Sequence, residues 1–255
     1  MLFFGKLFVT WRDTPAKQRS VLLKRMEVLC LWCCLFFIAV PFAIYFAAFL
    51  PVTLLPQNAD HIWSSFWSYQ THMLSYHAGL TATHDFASPW YEWPLMLRPI
   101  WYFFNADMTA SGQIGTMVCM GNPPLWWAGL GAMIAVLVAA VRDRSLAARV
   151  TAVGFLAAYL PWVGISRTTF IYHYFSAVPM LCLALVYVCW KLDQSAKPLP
   201  AIGKLKTNAV TLSMVGFVLL LFIFWCLFWP VISGAPTSSE AVHALEWLPG
   251  WYFAP

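Results

Sequence analysis

Apolar runs alternate with short polar segments along the chain, and the runs are long enough to cross a membrane. A membrane-spanning helix needs about 20 predominantly apolar residues. Suitable runs lie near 28–50, 123–141, 148–165, 170–190 and 209–232. The pattern predicts an all-α polytopic membrane protein of about five transmembrane helices. The span at 28–50 stands apart, and the other four form a transmembrane module over 123–232.

The segment 51–122 separates the first run from the other four, and its first half has the pattern of an amphipathic helix. Apolar side chains recur near helical spacing over 61–80, HIWSSFWSYQTHMLSYHAGL, and the small polar residues fall largely on another side. Tryptophan and tyrosine favour the depth where lipid head groups meet the hydrocarbon. We therefore expect a helix that lies in the membrane interface.

The second half of this segment contains the aromatic stretch 84–103, HDFASPWYEWPLMLRPIWYF. It is too polar and too rich in proline to span a bilayer. The prolines favour an extended backbone, and we expect the aromatic side chains to dip towards lipid. His84, Asp85, Glu92 and Arg98 are then expected to face a polar pocket or one another. The alternative is an aromatic belt that only anchors the loop, in which Glu92 and Arg98 simply form an ion pair.

Composition and charge give the chain its class and its orientation. Only 10% of the 255 residues are charged and 61% are hydrophobic, whereas a soluble domain has roughly 25% charged residues. Thirteen of the fifteen Lys and Arg residues would lie on one side of the membrane if the five spans alternate. These residues are Lys6, Arg12, Lys17, Arg19, Lys24, Arg25, Arg142, Arg144, Arg149, Lys191, Lys197, Lys204 and Lys206.

Basic residues concentrate on the cytoplasmic side of membrane proteins. The distribution therefore predicts a cytoplasmic basic segment at 1–27, an extracytoplasmic loop at 51–122 and an extracytoplasmic tail at 233–255. The predicted location is the cell membrane.

A second polar site follows the third apolar run, in the stretch 166–179, SRTTFIYHYFSAVP. Arg167 is expected at the outer end of one span, and His173, flanked by Tyr172, just inside the next. Ionisable groups at membrane depth are costly and suggest function. A guanidinium binds phosphate oxygens through charge-assisted bonds, so the site suits a lipid-linked phosphate. The alternative is that Arg167 snorkels to the interface and His173 packs with a hydrogen bond.

Two other groups have the residue types of metal ligands. The spacing Cys30-x-x-Cys33-Cys34 has no accompanying histidine or second cysteine pair, so these cysteines are interpreted as small apolar residues. His61, His72 and His77 have no carboxylate with them and are interpreted as interfacial polar residues. The sequence predicts no metal site, no cofactor and no nucleic-acid partner, and it leaves open whether a metal assists the reaction.

Four motifs, in order, resemble the protein O-mannosyltransferase family of bacterial type. HDFASPWYEWPLMLRPIWYF resembles its loop signature, with Phe86 where the family usually has tyrosine. MGNPPLWWAG (120–129) is similar to its entry into the next helix, and SRTTFIYHYFSAVPM (166–180) to its Arg…Tyr-His-Tyr-Phe…Pro segment. WPVISGAPTSSEAVHALEWLPGWYF (229–253) is similar to its C-terminal ending.

The resemblance implies a multi-pass GT-C glycosyltransferase, covering its C-terminal four-helix module and one preceding helix. Such enzymes transfer mannose from a polyprenyl (dolichyl-type) phosphate to Ser or Thr hydroxyls of proteins, outside the cytoplasm. Arg167, with His173 and Tyr172, is then expected to contact the donor phosphate. The residues expected to shape the pocket where donor and acceptor meet are His84, Glu92, Trp93 and Arg98.

One departure from the family limits this expectation. The catalytic acidic pair of the family lies in its N-terminal half, which no part of this chain matches, so no catalytic base is assigned here. Three alternatives stay open: a non-catalytic truncated or split subunit that needs a partner chain for the base, a GT-C transferase of another sugar, and a transporter or lipid-binding scaffold.

Overall fold

The computed structural model describes residues 2–53, 55, 61–107, 112–143, 145–199 and 207–255. Parts of the predicted loop 51–122, the basic residues Arg144, Lys204 and Lys206, and the side chain of Lys6 lie outside the described residues. The chain divides into two compact units, Met1–Leu80 and Thr81–Pro255. The division falls inside the segment 51–122, so the predicted interfacial helix belongs to the first unit.

In its described residues, the first unit contains four α-helices. Helix α1 covers Leu2–Asp13, α2 Arg19–Cys34, α3 Val40–Thr53 and α4 Ile62–Ala78. A π-helical turn at Leu35–Ala39 joins α2 to α3 without a break. Helix α4 packs on α3 through Phe66, whose ring lies 5.1 Å from the ring of Phe46. The helix predicted at 61–80 is therefore present, and its position in the membrane interface stays a prediction.

Four helices form the membrane module of the second unit: α5 (Pro123–Arg142), α6 (Leu146–Tyr159), α7 (Val178–Asp193) and α8 (Ala209–Ser233). Helices α5, α6 and α8 are each preceded by a residue whose side-chain oxygen accepts a hydrogen bond from a backbone N–H of the first turn. These residues are Asn122, Ser145 and Asn208. Such caps satisfy N–H groups that have no partner within the helix.

The core of this module lies between α5, α6 and α7. Val136, Ala152 and Leu181 are fully or nearly fully buried there. Gly129 of α5 permits the close approach of α7, because a Cβ at this position would lie 2.8 Å from the Cβ of Leu181. Helix α8 contributes less to this core, since its buried residues, Phe228 and Val231, lie near its C-terminal end.

The structure confirms the all-α class and the expected number of spans. Five helices within the described residues are long and apolar enough to cross a membrane. They are Ala16–Val52, Pro123–Arg142, Leu146–Gly164, Ile171–Asp193 and Ala209–Ser233. The third, which is the least hydrophobic, ends in a 3-10 turn at Leu160–Gly164.

A cap of irregular structure covers the end of the module where α5 and α7 begin and α6 and α8 end. We define the cap as residues 81–107, 112–122, 165–177 and 234–255. It contains an antiparallel hairpin that the sequence pattern did not predict, with strands β1 (Ile100–Asn105) and β2 (Gly115–Cys119). A short helix, α9 (Ser239–His243), lies in its C-terminal part.

Two expectations for the aromatic stretch 84–103 are wrong for its central part, although its last residues, from Ile100, form an extended strand. Trp90–Leu95 forms a 3-10 helix and is not extended, although Pro89 just before it is. The φ angle of proline suits a 3-10 turn as well as an extended chain, so the prolines did not decide between them. Trp93 does not dip towards lipid: its side chain is 0% exposed and lies in the protein core.

Indole N–H groups hold this 3-10 turn in place. Trp93 Nε1 donates to Ser88 O and Oγ at 3.1 and 3.0 Å, which fixes the start of the turn. Three further indoles donate to carbonyls at its end. These bonds are Trp126 Nε1 to Trp93 O (2.7 Å), Trp127 Nε1 to Leu95 O (3.1 Å) and Trp251 Nε1 to Met96 O (2.7 Å). A buried carbonyl without a partner is costly, so these bonds stabilise an otherwise irregular backbone.

The C-terminal residues complete the cap from the other side. Thr116 of β2 is fully buried; its hydroxyl accepts a bond from Trp101 Nε1 and lies 2.5 Å from Phe253 O. Phe253 N in turn donates to Glu246 Oε1 at 2.6 Å. The hairpin and the tail are thus joined through buried polar contacts.

Two neighbouring tryptophans provide a test of the indole bonds. Trp126 is buried (1% exposed) and Trp127 is 38% exposed, although both donate to the same turn. We expect Trp126→Phe to lower the free energy of unfolding by about 2–3 kcal/mol, from a lost hydrogen bond and lost buried volume. Trp127→Phe should cost less than about 1 kcal/mol, because water can reach its carbonyl partner. Equal shifts of the detergent-solubilised melting temperature would contradict this account.

Candidate functional site

A cleft of about 320 Å³ lies in the cap, between two segments that are distant in sequence. One wall is 87–90 and the other is 165–169. The side chains that give the cleft its chemistry are those of Ser88, Trp90, Ser166, Arg167, Thr168 and Thr169. The cleft thus combines one cation, several hydroxyl groups and one indole.

Hydrogen bonds between Ser88 and Thr169 hold the two walls together. Ser88 N donates to Thr169 O at 2.9 Å, and Thr169 Oγ1 donates to Ser88 O at 2.9 Å. The Thr168 hydroxyl donates to Ala82 O. Since Trp93 also donates to Ser88, the position of the cleft wall depends on the same indole bonds as the rest of the cap.

Arg167 is the cation of the cleft, and its guanidinium has little to bind within the protein. Within the described part of the chain it donates one hydrogen bond, from Nη1 to Thr168 O, which is long at 3.5 Å. Among the residues that the structure describes, no carboxylate lies within 4.0 Å of it. A half-buried guanidinium without a carboxylate partner can form charge-assisted bonds to an anion that enters the cleft.

Tyr172 and His173, which the sequence groups with Arg167, are not among the residues that line this cleft. His173 Nδ1 accepts a bond from Phe170 N at 3.1 Å, and its ring lies 4.1 Å from the ring of Trp162 and 5.7 Å from that of Trp93. The ring of Tyr172 lies beside it at 4.4 Å. Their predicted contact with a donor phosphate stays a prediction.

The four residues expected to shape an outer pocket take different positions. His84 packs edge-on against Phe170 at 5.2 Å, and Arg98 Nη1 donates to Ala87 O, at the wall of the cleft, at 3.3 Å. Glu92 is half-buried in the 3-10 turn, and within the described part of the chain it forms no ion pair with Arg98. Trp93 supports the cleft wall from within the core.

Sequence reasoning did not single out Ser88, Trp90, Thr168 or Thr169 as parts of the site. A signal was present in the hydroxyl run Ser-Arg-Thr-Thr around Arg167. The opposite wall could not be found from the sequence, because Ser88 and Thr169 are separated by 81 positions.

Tyr102 and Cys119 form a polar contact on the hairpin, close to Tyr172. Burial and the hydrogen bond to Cys119 raise the pKa of the Tyr102 phenol well above its ordinary value. Burial also raises the pKa of the Cys119 thiol, and the bond from Tyr102 offsets only part of this effect. Both groups are therefore neutral near pH 7, which makes them poor candidates for a general base.

Metal ligands do not converge in the part of the chain that the structure describes. There, no group of three or more His, Cys, Asp or Glu side chains is placed to hold a metal ion.

The fold and the site define a class: a polytopic helical membrane protein whose cap holds a cationic cleft at one end of a four-helix module. Residues 62–251 match the model of the C-terminal four TMM region of protein-O-mannosyltransferase. The match covers most of the chain, and the chain belongs to this family.

Curated relatives carry names of the same kind. The chain is 24% identical over 239 residues to the polyprenol-phosphate-mannose–protein mannosyltransferase of Mycobacterium tuberculosis, a match that covers 83% of this chain and 45% of that protein. It is 28% identical over 211 residues to protein O-mannosyltransferase 1 of Drosophila pseudoobscura pseudoobscura, covering 75% of this chain and 23% of that protein. The chain therefore spans less than half the length of these relatives.

A solved structure shares the fold. The structure of the Saccharomyces cerevisiae protein O-mannosyltransferase Pmt1–Pmt2 complex bound to the sugar donor superposes with a TM-score of 0.56 at 20% identity. The match covers 74% of this chain and 26% of that chain.

Removing the hydroxyl of Thr168 or of Thr169 tests which hydrogen bonds hold the cleft walls together. Thr169→Val removes a buried donor to Ser88 O, which keeps its bond from Trp93, so we expect a loss of about 1 kcal/mol in the free energy of unfolding. Thr168→Val should cost less than about 0.5 kcal/mol, since its half-buried site admits water. Melting temperatures of the solubilised variants measure both, and a larger loss at Thr168 would contradict the assignment.

Proposed function

We propose that this chain forms the C-terminal membrane part of a glycosyltransferase that moves mannose from a polyprenyl-phosphate donor to Ser or Thr hydroxyls of proteins. Support comes from the family membership and from the names of the relatives, one of which is a polyprenol-phosphate-mannose–protein mannosyltransferase. The observation that carries the proposal within the structure is the half-buried Arg167 in the cap cleft, which has no carboxylate partner among the described residues.

Arg167 would bind the phosphate of the donor. A guanidinium offers two parallel N–H donors to phosphate oxygens, and charge-assisted bonds of this kind are stronger than neutral ones. The cleft walls, 87–90 and 165–169, are irregular apart from Trp90, which begins a 3-10 turn, and they contain no part of helices α5 to α8. A lipid-linked phosphate at the membrane surface would reach this level while its polyprenyl chain stays in the hydrocarbon.

The chemical step that this site would serve is a single inverting displacement. The acceptor hydroxyl oxygen attacks the anomeric carbon of mannose, and the bond from that carbon to the phosphate oxygen breaks. The phosphate leaves with the bonding electrons, and a carboxylate takes the hydroxyl proton. Arg167 would stabilise the charge that develops on the phosphate. We assign no residue of this chain as the proton acceptor.

The proposed orientation places the cap on the extracytoplasmic side of the cell membrane. The basic segments 1–27, 142–149 and 191–208 would then face the cytoplasm, in keeping with the usual bias of Lys and Arg. The N-terminus would be cytoplasmic and the C-terminus extracytoplasmic, so that donor phosphate and protein acceptor meet at the cap.

A second candidate is a subunit that acts together with another chain, which supplies the catalytic carboxylate. The observation that favours it is the coverage of the M. tuberculosis relative, of which this chain matches 45%. The solved neighbour is itself described as a complex of two proteins.

Donor binding tests the role of Arg167 independently of catalysis. We expect Arg167→Gln to weaken binding of a polyprenyl phosphate by about ten-fold to one-hundred-fold, as for the loss of a charge-assisted bond. The matched control is Arg149→Gln, since Arg149 is exposed near the opposite end of α6 and donates to Ala140 O. Fluorescence titration of the solubilised proteins measures both affinities. If the Arg167→Gln variant binds the polyprenyl phosphate as tightly as the wild type, Arg167 does not bind the phosphate.

Mannosyl transfer tests the proposed activity itself. Membranes that express this chain, alone or with the product of the gene upstream, are given radiolabelled polyprenyl-phosphate-mannose and a Ser/Thr-rich peptide. We expect transfer on co-expression. Transfer by the chain alone would show that a carboxylate of this chain, such as Glu92 or Asp85, acts as the base, and absence of transfer in both samples would contradict the proposal.

A further inference from the structure

The two strands of the cap hairpin differ in how well they are covered. Strand β2 is buried at Gly115, Thr116 and Val118, and Ile114 just before it forms two backbone bonds with Thr237, of 2.9 and 3.0 Å. In β1, by contrast, the consecutive residues Tyr102 and Phe103 are both exposed, by 58% and 39%. The tail therefore pairs with the start of β2 and packs on Trp101 at the start of β1, and it leaves Tyr102 and Phe103 exposed.

The edge of β1 that faces away from β2 is open. Over the residues that the structure describes, no backbone hydrogen bond leads from this edge to another element. An open edge presents a row of N–H and C=O groups that can pair with another extended chain. Such an edge has the hydrogen-bonding pattern that suits an extended polypeptide rather than a small ligand.

The sequence of β1 does little to block such pairing. Proteins usually protect an edge strand with charged residues, proline or a bulge. The strand reads Ile-Trp-Tyr-Phe-Phe-Asn, with no charge and no proline, and its register shifts once, between Trp101 and Phe103. Two exposed aromatic residues therefore accompany a pairing edge that only one bulge interrupts.

The edge begins next to the cleft that contains Arg167. The ring of Trp101 lies 6.0 Å from that of Phe86, and the next residue, Ala87, lines the cleft. Arg98, two residues before β1, donates to Ala87 O. An extended chain that pairs with β1 would therefore have one end close to the cleft.

We propose that the open edge of β1 binds an extended segment of the acceptor protein by backbone pairing. This inference rests on the proposed function, which makes a polypeptide the acceptor. Main-chain bonds hold a strand whatever its side chains are, and successive side chains point to opposite faces. An acceptor hydroxyl could thus be presented near the cleft without recognition of a fixed sequence.

The backbone of the bound peptide provides the sharpest test, on the unmodified protein. The probe is a fluorescent, uncharged octapeptide that contains Ser and Thr, in a series in which one amide at a time is N-methylated. Strand pairing predicts that methylation weakens binding by about ten-fold or more at every second residue, and by less than about two-fold at the residues between them. A uniform loss, no loss at any position, or no binding of the parent peptide would overturn the proposal.

A variant pair tests the same edge from the protein side. Tyr102→Lys places a charge on the exposed strand and should weaken peptide binding about ten-fold. Two controls should not: Tyr102→Phe removes only the phenol that contacts Cys119, and Tyr76→Lys changes an equally exposed tyrosine (58%) of α4. All three variants should keep the polyprenyl-phosphate affinity of the wild type, which shows that they are folded.

Peptide binding and polyprenyl-phosphate binding together distinguish failure of this inference from failure of the proposed function. Binding of a polyprenyl phosphate without the alternating peptide pattern overturns the edge inference alone, and absence of both overturns the proposed function as well. The oligomeric state of the Tyr102→Lys variant gives a further outcome. If it changes while the peptide affinity does not, the edge binds a second copy of the chain and the proposal is overturned.

Discussion

The cap depends on one kind of interaction, the hydrogen bond from an indole N–H to a backbone carbonyl. The turn at Trp90–Leu95 ends at the left-handed residue Met96 (φ 56°), and indole N–H groups donate to the carbonyls of Trp93, Leu95 and Met96. Left-handed backbone is uncommon outside glycine, and here Trp251 donates to Met96 O while Met96 N donates to Trp93 O. The indoles of Trp93, Trp126 and Trp251 are also buried, so in these three residues one side chain provides both a hydrogen bond and apolar packing.

The cleft follows from this constraint. Ser88 accepts bonds from Trp93 and Thr169, so the wall that faces Arg167 is fixed by residues of the core and not by the membrane. Trp126, at the start of α5, connects the same turn to the helices. A guanidinium on a rigid wall is preorganised for an anion, which lowers the entropic cost of binding.

The sequence was sufficient to predict the features that the bilayer imposes, but not those that depend on contacts between residues distant in sequence. Spans and the amphipathic helix α4 were predictable, because lipid fixes the length of an apolar run and an interface fixes helical periodicity. Arg167 was singled out because cations are rare near spans. The burial of Trp93, the hairpin and the Ser88 wall were not predictable: they arise from contacts over tens of residues, and proline is compatible with both the extended and the 3-10 conformation.

Hydrogen–deuterium exchange of the wild-type protein in detergent tests the central claim that the cap is a single rigid structure. The account predicts that the amides of 88–97, 169–174 and 248–254 exchange slowly and at similar rates, close to those of α5, because shared indole and backbone bonds hold them. Rapid exchange of 88–97 while α5, α6 and α7 stay protected would contradict it, and would show that the cleft wall is a mobile loop.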